Sequence, residues 1–388
     1  MVEGPVVVSR RGEARVLRGH PWIFRTDVVR AQGISAGAVV KVEGPHGRHL
    51  GFAFFSTRSE IRLRMIERGE SLAESFLHDR VAAALHWRES VAEGASAYRL
   101  VHGEGDRVPS LVVDRYGDHL VVQTLSQGTE ARKDELVRVL VELLRPAGIL
   151  ERNDPRVRTL EGLDQRVGLL HGEVPERVEV REGDVTFEAD LWRGQKTGLF
   201  LDQRENHLVA RAYARGRVLD GFSYHGGFAL HAARAAREVL AVDTSEEAVA
   251  RIARNAERNG LGNVSAREAN VFDLLRDLHD RGERFDTVIL DPPAFAKSKD
   301  AVEKAVRGYK EINLRALRLL EPGGCLITCS CSYHVHEADF EEILAAAAAD
   351  APATVTVVEK RRQGRDHPVV LGVPETYYLK CFVLRKVA

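Results

Sequence analysis

Residues 217–243 read RVLDGFSYHGGFALHAARAAREVLAVD, and this stretch decides the fold of the C-terminal half of the chain. An apolar run ends at Asp220-Gly221, a glycine-containing turn leads into an alanine-rich segment, and a second apolar run ends at Asp243. This alternation of strand, helix and strand is typical of a parallel sheet covered by helices on both faces. The pattern therefore predicts an α/β doubly wound domain that begins near residue 185.

The same alternation continues towards the C terminus. Helices are predicted over about Gly227–Arg237 and Glu246–Asn259, and further strands over Val264–Arg267, Thr287–Leu290 and Cys325–Ser330. The last two predicted strands, Thr354–Val358 and Tyr377–Arg385, are joined by a loop too short for a crossover helix. Because parallel neighbours need such a crossover, we expect these two strands to pair antiparallel.

The N-terminal half has a different pattern. Residues 1–75 predict an all-β domain, because short β-branched runs alternate with glycine-rich turns. A helix is predicted near Ser75–Glu93, and the following segment mixes strands with a helix over roughly Glu130–Leu144. We therefore predict three domains: a β-rich domain at 1–75, a small α+β domain at 76–184 and the α/β domain at 185–388.

Composition limits the possible partners. The 56 Lys+Arg and 57 Asp+Glu give a formal net charge of −1, so the chain is not one of the strongly basic nucleic-acid-binding proteins. Residues 1–75, however, contain twelve Lys/Arg against eight Asp/Glu, a local charge of about +4 that suits RNA docking. The sequence predicts neither a signal peptide nor a membrane span, and its four clustered cysteines do not suit a disulfide framework. We expect a cytoplasmic, reduced protein.

Polar residues follow successive predicted strands in the α/β domain, where such folds bind ligands. The turn after the first strand lacks the GxGxxG spacing of a dinucleotide site. Asp243 ends the second strand and could accept hydrogen bonds from a ribose diol, and Asn270 follows the third and could contact an adenine amino group. Each residue could equally serve a turn or cap a helix. Together they favour a cofactor that contains a nucleoside.

Asp291-Pro292-Pro293 follows the next apolar strand. The two prolines fix φ and remove two backbone donors, so the strand must end there and direct the Asp side chain towards the crevice. An acidic residue with prolines at this place suits an enzyme that holds a planar nitrogen heterocycle beside a methyl donor.

Several motifs together resemble a known family. They are Gly194-Gln195-Lys196-Thr197-Gly198, Leu201-Asp202-Gln203-Arg204, the FSYxGGF turn, Asp291-Pro292-Pro293, Arg307-Gly308-Tyr309-Lys310, Ser330-Cys331-Ser332 and Asp366-His367-Pro368. Their order is similar to that of the bacterial 23S rRNA cytosine-5 methyltransferases that carry a PUA domain. The resemblance covers nearly the whole chain, and it identifies residues 1–75 as PUA-like and 185–388 as a Rossmann-like class I methyltransferase domain.

The resemblance implies S-adenosylmethionine as cofactor and a cytosine of 23S rRNA, free or in a large-subunit precursor, as substrate. We assign cofactor binding to Lys196, Thr197, Arg204, Asp220, Phe222, Ser223, Asp243, Asn270 and Asp291, and substrate binding to Pro292, Pro293 and His367. Two residues depart from the family pattern: Asn270 stands where an Asp is expected, and His225 replaces a small polar residue. A homodimer is left open by the resemblance, and no membrane partner is expected.

Methylation at carbon 5 of cytosine needs a nucleophile, because that carbon is too electron-poor to attack a sulfonium methyl. A thiolate that adds to carbon 6 solves the problem. Cys329 and Cys331 lie on the same side of the predicted strand, and the outer one, Cys331, is the expected nucleophile. Asp291 is the expected contact for ring nitrogen 3. The base that removes the carbon-5 proton is left open between His334, His367 and water.

Other interpretations remain open at this point. Cys329, Cys331, His334 and His336 contain zinc-type ligands, but their spacing does not resemble paired zinc motifs, so no metal is expected. The strand could also end with incidental cysteines. Among functions, the alternatives are methylation of another base position, such as guanine nitrogen 7, and a non-catalytic RNA-binding assembly factor.

Overall fold

The computed structural model describes residues 2–296 and 299–387 of an α/β chain, with the side chain of residue 299 excluded. The chain divides into two compact units. The first unit contains the residues up to Val180, together with Ala189–Leu199 and Arg365–Thr376. The second unit contains Arg181–Glu188, Phe200–Gly364 and the residues from Tyr377 onwards. The three predicted domain boundaries stay a prediction.

The first sheet of the first unit has six strands in the order β2-β6-β5-β4-β1-β3. Its strands are β1 (Val2–Val8), β2 (Trp22–Phe24), β3 (Val28–Arg30), β4 (Val39–Glu43), β5 (His49–Phe55) and β6 (Ile61–Glu67). Apolar residues on alternating positions, such as Val40 and Val42 of β4, fill its core. The β-rich character predicted for this segment is therefore present.

The prediction that residues 1–75 are entirely β is wrong at one place. Helix α1 (Arg10–Leu17) follows β1 directly. Ser9 caps it by accepting a hydrogen bond from Gly12 N at 3.2 Å. A two-turn helix is marginal by itself, but Arg11 and Arg15 both bond the buried carboxylate of Asp27, which fastens the helix to the sheet.

The second sheet of the first unit has five strands in the order β11-β10-β9-β8-β7. They are β7 (Ala97–His102), β8 (Leu111–Tyr116), β9 (His119–Thr124), β10 (Gly148–Asn153) and β11 (Arg166–Gly172). Helices α2 (Phe76–Val91), α3 (Gln127–Glu130), α4 (Lys133–Leu144) and α5 (Val157–Leu160) accompany it. Strands β12 (Arg177–Glu182) and β13 (Val185–Asp190) form a separate two-stranded sheet. This mixture of helices and strands matches the α+β content predicted for the segment.

The second unit contains a seven-stranded sheet in the order β16-β15-β14-β17-β18-β20-β19. Its strands are β14 (Arg217–Gly221), β15 (Glu238–Asp243), β16 (Val264–Glu268), β17 (Phe285–Leu290), β18 (Leu320–Ser330), β19 (Val355–Arg362) and β20 (Lys380–Lys386). The first five run parallel to one another, whereas β20 pairs antiparallel with both β18 and β19. The predicted doubly wound sheet and its antiparallel C-terminal pair are confirmed.

Helices connect the strands of this sheet. They are α6 (Arg204–Tyr213), α7 (Gly227–Ala233), α8 (Glu246–Arg258), α9 (Val271–Asp280), α10 (Val302–Leu319) and α11 (Glu337–Asp350). Helix α7 ends four residues before the predicted Arg237. Apolar side chains of α9, α10 and α11, including Leu275, Ile312 and Phe340, pack on the sheet in one continuous core. Because β14 lies between β15 and β17, the ends of these three strands meet at one edge.

Short 3-10 turns occur at Arg25–Asp27, Gly103–Asp106, Leu201–Gln203, Lys299–Ala301 and Pro374–Thr376. Across the described parts of the chain, no helix combines the length and the apolar character needed to cross a bilayer.

Candidate active site

The turn after β14 is held against the end of the neighbouring strand β15. Ser223 N donates to Val242 O at 2.9 Å, and Tyr224 N donates to the Asp243 carboxylate at the same distance. Phe222 and Tyr224 adopt left-handed backbone conformations, with φ of 68° and 51°. Such conformations cost energy for side chains with a Cβ and concentrate at functional sites. The turn is therefore a constrained segment at the sheet edge.

The two glycines of the FSYxGGF turn have separate structural reasons. Gly226 has a φ of 89° and forms the N-cap of α7, a conformation that favours glycine. Gly227 lies against the imidazole of His207, and a Cβ at this position would lie 2.4 Å from His207 Cε1. Gly226 thus allows the backbone turn into α7, and Gly227 lets the start of α7 approach His207 of α6 closely.

Asp220, at the end of β14, is fully buried. The Ser223 hydroxyl donates to its Oδ2, whereas Oδ1 has no hydrogen-bond partner among the described residues. Burial raises the pKa of Asp220 to about 7; the charge on Asp291 acts in the same direction, and the Ser223 hydrogen bond and the His207 charge oppose it. A buried carboxyl with an unpartnered oxygen is suited to a ligand that brings hydrogen-bond donors or positive charge.

A buried ion cluster lies beside Asp220. Nδ1 of His207 is 3.0 Å and Nε2 of His231 is 3.1 Å from Oε1 of Glu182. Burial acts to lower the pKa of His207, but the Glu182 carboxylate outweighs it and raises the pKa above its ordinary value. His225 differs, because burial lowers its pKa to about 3, with the His207 charge acting in the same direction. His225 is therefore neutral at physiological pH, and so low a pKa makes it a weak proton acceptor.

Asp243 and Asn270 follow β15 and β16, as predicted, and both already bind backbone. The two oxygens of Asp243 accept from Tyr224 N at 2.9 Å and Ser245 N at 3.0 Å. Asn270 is the N-cap of α9, and its Oδ1 accepts from Phe272 N at 2.9 Å. Carboxylate and amide oxygens can accept more than one hydrogen bond, so both remain able to contact a nucleoside. Their cofactor contacts stay a prediction.

Asp291 follows β17 and is fixed by a residue that our sequence analysis did not single out. Gln203 donates from Nε2 to Asp291 Oδ1 at 2.9 Å, and its own Oε1 accepts from Asn206 Nδ2 at 2.6 Å. Gln203 is buried, so this chain of hydrogen bonds holds the Asp291 carboxylate in one orientation. The signal was present in the Leu201-Asp202-Gln203-Arg204 motif, but we had selected only the arginine.

Cys331 lies directly beyond β18 and is partly exposed, unlike the other three cysteines. Its Sγ is 3.8 Å from Pro292 O, on the loop that follows the neighbouring strand β17. The next residue, Ser332, accepts from Ala296 N at 3.1 Å and is hydrogen-bonded to Tyr309 OH at 2.9 Å. These contacts fix the backbone that carries the Cys331 thiol beside the Asp291-Pro292-Pro293 segment.

Cys329, two residues before Cys331, is a packing residue of the sheet. It is fully buried and directly opposite Cys381 in the β18–β20 ladder. Burial, together with Cys381, raises its pKa well above the ordinary value, so the thiol is inert. Among the described residues, no group of three or more His, Cys, Asp or Glu side chains is arranged to hold a metal ion. His336 instead forms the N-cap of α11.

The remaining predicted residues fall in different units. Arg204, in the second unit, is almost fully buried, with Nη2 at 3.5 Å from Glu205 Oε1. Lys196 and Thr197 belong to the first unit; Lys196 is exposed, whereas the Thr197 hydroxyl donates to Asp114 Oδ2 at 2.6 Å. His367, also in the first unit, is buried with Nδ1 at 3.1 Å from Asp366 Oδ1. The second unit thus contains Asp220, Phe222, Ser223, Asp243, Asn270, Asp291, Pro292, Pro293, Arg204 and Cys331.

Comparisons with known proteins agree with this geometry. The chain is 41% identical over 392 residues to the protein named Ribosomal RNA large subunit methyltransferase I of Aliivibrio fischeri (strain MJ11), covering 98% of this chain and 99% of the relative. The protein of the same name from Klebsiella pneumoniae (strain 342) is 40% identical, with 98% of each chain covered. These relatives match the chain over its whole length.

Solved structures share the fold. A SAM-dependent methyltransferase from Streptococcus mutans superposes with a TM-score of 0.82 at 22% identity, covering 99% of this chain and 100% of the other. The methyltransferase SMU.776, crystallised with SAH, superposes with a TM-score of 0.84 at the same identity and the same coverage.

Family models identify both parts of the chain. A PUA-like domain matches residues 6–68 and includes most of the six-stranded sheet. The S-adenosylmethionine-dependent methyltransferase family matches residues 98–384, which contain the complete seven-stranded sheet and the site described above. With its PUA-like domain, its α/β sheet and its strand-end carboxylates, the chain belongs to the S-adenosylmethionine-dependent methyltransferases.

Proposed function

We propose that this protein methylates carbon 5 of one cytosine in 23S rRNA, through a covalent bond between Cys331 and carbon 6 of the base. The names of the relatives support an rRNA of the large subunit as substrate. The observation that carries the cytosine-5 assignment is the partly exposed Cys331 thiol at 3.8 Å from Pro292 O, beside Asp291. Free rRNA and a large-subunit precursor both remain candidate forms of the substrate.

The cofactor residues fit S-adenosylmethionine. Asp220 Oδ1 is a buried acceptor without a partner among the described residues, and it suits a cationic ligand with N–H donors. We assign to the same site Phe222, Ser223, Asp243, Asn270, Asp291 and Arg204, while cofactor binding by Lys196 and Thr197 stays a prediction. When bound, the cofactor supplies an electrophilic methyl group.

The proposed mechanism uses the thiol and the carboxylate in turn. The Cys331 thiolate adds to carbon 6 of cytosine, which makes carbon 5 nucleophilic enough to accept the methyl group. Asp291, oriented by Gln203, acts as an acid that gives a proton to ring nitrogen 3, where negative charge develops in the adduct, and it takes that proton back when the sulfur leaves. A base then removes the carbon-5 proton, and the Cys331 sulfur leaves as carbon 6 is released. The base stays open between His334, His367 and water.

Substrate recognition is assigned to both parts of the chain. In this proposal Pro292 and Pro293 flank the target base. They follow Asp291 directly, and the carbonyl oxygen of Pro292 is 3.8 Å from the Cys331 thiol. We further propose that the PUA-like domain docks the rRNA, since residues 1–75 carry twelve Lys/Arg against eight Asp/Glu. A contact of His367 with the substrate, a homodimer and a cytoplasmic location all stay predictions.

The experiment that tests this function is mapping of methylated nucleotides in 23S rRNA from cells with and without the gene. We expect one 5-methylcytosine to disappear in the deletion, to return with the wild-type gene and to remain absent with Cys331→Ala. Cys329→Ala is the matched control, because this cysteine is buried on the same strand, and it should restore the modification. Loss of a methylated guanine instead, or full activity of Cys331→Ala, would contradict the proposal. A 5-fluorocytosine RNA should trap the covalent adduct on wild-type protein and on Cys329→Ala, but not on Cys331→Ala.

A further inference from the structure

Lys380, on β20, is a buried lysine next to the proposed nucleophile. It pairs in register with Ser330, the residue that precedes Cys331. Its Nζ donates to Ser332 O at 2.7 Å and to Tyr378 O at 2.9 Å, and only 2% of the residue is exposed. Both acceptors are neutral carbonyls. Within the described residues, Lys380 has no carboxylate at ion-pair distance.

A buried ammonium without a counter-charge is costly, so its presence calls for an explanation. Burial lowers the pKa of Lys380 to about 8, while negative charge on Cys331, Asp339 and Glu337 acts in the opposite direction. A neutral side chain of similar length would avoid this cost. The lysine therefore suits a site where a negative charge forms close to it.

The other charged and titratable groups around Lys380 already have partners. Asp339 accepts from His336 N at 2.8 Å, and Glu337 accepts from Tyr377 OH. Tyr309 is hydrogen-bonded to Ser332, and burial raises its pKa, so it stays a neutral phenol. Of the groups facing Lys380, the Cys331 thiol is the one that must ionise in the proposed mechanism.

We propose that Lys380 is a positioning residue whose ammonium stabilises the Cys331 thiolate and fixes the backbone next to it. This inference rests on the proposed function. The Cys331 S–H bond breaks, its proton passes to solvent, and Lys380 keeps all three of its protons. The sulfur then carries the electron pair that forms the bond to carbon 6. The hydrogen bond from Nζ to Ser332 O holds the segment that presents this sulfur.

The test measures how fast iodoacetamide alkylates Cys331 as pH is varied, with the full chain and no RNA. Peptide mass spectrometry follows Cys331 separately from the three buried cysteines. We expect the wild-type thiol to react with an apparent pKa below the ordinary value of about 8.5. Lys380→Met should raise that value by about one unit or more, which slows alkylation roughly tenfold at pH 7. Lys380→Arg, which keeps the charge, should be affected less.

Lys386→Met is the matched control, because Lys386 lies on the same strand and also donates to two carbonyls, Leu317 O and Leu320 O. It should leave the alkylation profile unchanged. Equal profiles for the two methionine variants would overturn the inference. If Lys380→Met does not fold, the wild-type profile decides, since an ordinary thiol pKa for Cys331 also overturns it.

These outcomes are separable from those of the proposed function. Alkylation reports the Cys331 thiol without any methyl transfer. Retained 5-methylcytosine formation by Cys331→Ala would refute the nucleophile, whatever the alkylation profile. If methylation requires Cys331 but Cys331 is alkylated with the pH profile of an ordinary thiol, only the role of Lys380 is refuted. In a methylation assay, Lys380→Met should lower kcat, with little change in KM for RNA, and shift the pH–rate profile to higher pH.

Discussion

At the residue scale, Asp220 links cofactor binding to protonation. Burial raises its pKa to about 7, with Asp291 acting in the same direction and Ser223 and His207 opposing it. An unfolded Asp titrates near pH 3.9, so the folded protein binds the extra proton between about pH 4 and pH 7. The free protein therefore loses stability as pH rises through this window. A cationic cofactor favours the ionised carboxyl, so its affinity should rise over the same range.

We predict that Asp220→Asn separates the effect of pH on the stability of the free protein from its effect on cofactor affinity. At pH 8 the cofactor-free variant should melt a few degrees above wild type, and the difference should shrink as pH falls and vanish only below about pH 4, where Asp220 is protonated in both the folded and the unfolded state. Cofactor affinity should fall by about tenfold or more, because a charge-assisted contact is lost, and should no longer rise with pH. Thermal melts and calorimetry at several pH values measure both quantities. A melting difference that does not depend on pH would contradict the argument.

A site residue could be predicted from the sequence when the pattern that marks it lies in the residues next to it along the chain. Position along the predicted strand distinguished the outer Cys331 from Cys329, and in the structure Cys329 is buried whereas Cys331 is partly exposed. Gln203 lies in a motif that the sequence shows, but its role could not be predicted, because the carboxylate that it orients is 88 residues away in the chain. The hydroxyl of Thr197 is engaged by Asp114 and Tyr116, distant residues that no local pattern could have named.

At the scale of elements, helix α1 shows why strand-rich patterns can hide a helix. Ser9, Glu13 and the apolar pair Val16-Leu17 are helix signals, but Gly12 inside the segment weakens them. What stabilises the helix is Asp27, a buried residue that bonds Ser9, Arg11 and Arg15. Because Asp27 lies beyond the next strand, this support becomes visible only in the structure. By contrast, the strands of the second unit were predicted from their own apolar runs.

We predict that Asp27→Ala lowers the free energy of unfolding by about 2–4 kcal/mol, because it removes several charge-assisted hydrogen bonds and leaves a cavity at a buried position. Asp277→Ala, on the exposed face of α9, is the control and should stay within about 0.5 kcal/mol of wild type. Denaturant unfolding measures both changes. Hydrogen exchange should locate the loss of protection in α1. Equal stabilities for the two variants would mean that Asp27 does not hold the helix.

At the scale of the whole molecule, the sequence predicted the α/β class and the antiparallel C-terminal pair, but not the two compact units. Residues 189–199 and 365–376 belong with the N-terminal sheets, although both segments lie at 185–388, in the predicted catalytic domain. The reason is a set of contacts between residues far apart in sequence. Thr197 bonds Asp114, and Asp366 accepts from Arg99 N at 3.0 Å. Periodicity and turn residues report neighbours along the chain, so they carry no information on such partners.

The uneven charge of the whole chain yields a last prediction, which rests on the proposed RNA substrate. Residues 1–75 have a net charge of about +4 in a chain whose total is −1, so the PUA-like domain should supply the phosphate contacts. Arg10 and Arg30 are exposed there, and replacing both with Gln should weaken binding to a 23S rRNA fragment about tenfold near 0.1 M salt.

The salt dependence distinguishes phosphate contacts from other effects of these substitutions. Each lost contact should reduce the slope of log affinity against log salt by about 1, while cofactor affinity stays unchanged. Arg237→Gln, an exposed arginine of the second unit, is the control and should leave the slope as in wild type. Because counterion release reports only the phosphates that are neutralised, an unaltered slope in the double variant would place the RNA on another surface of the molecule.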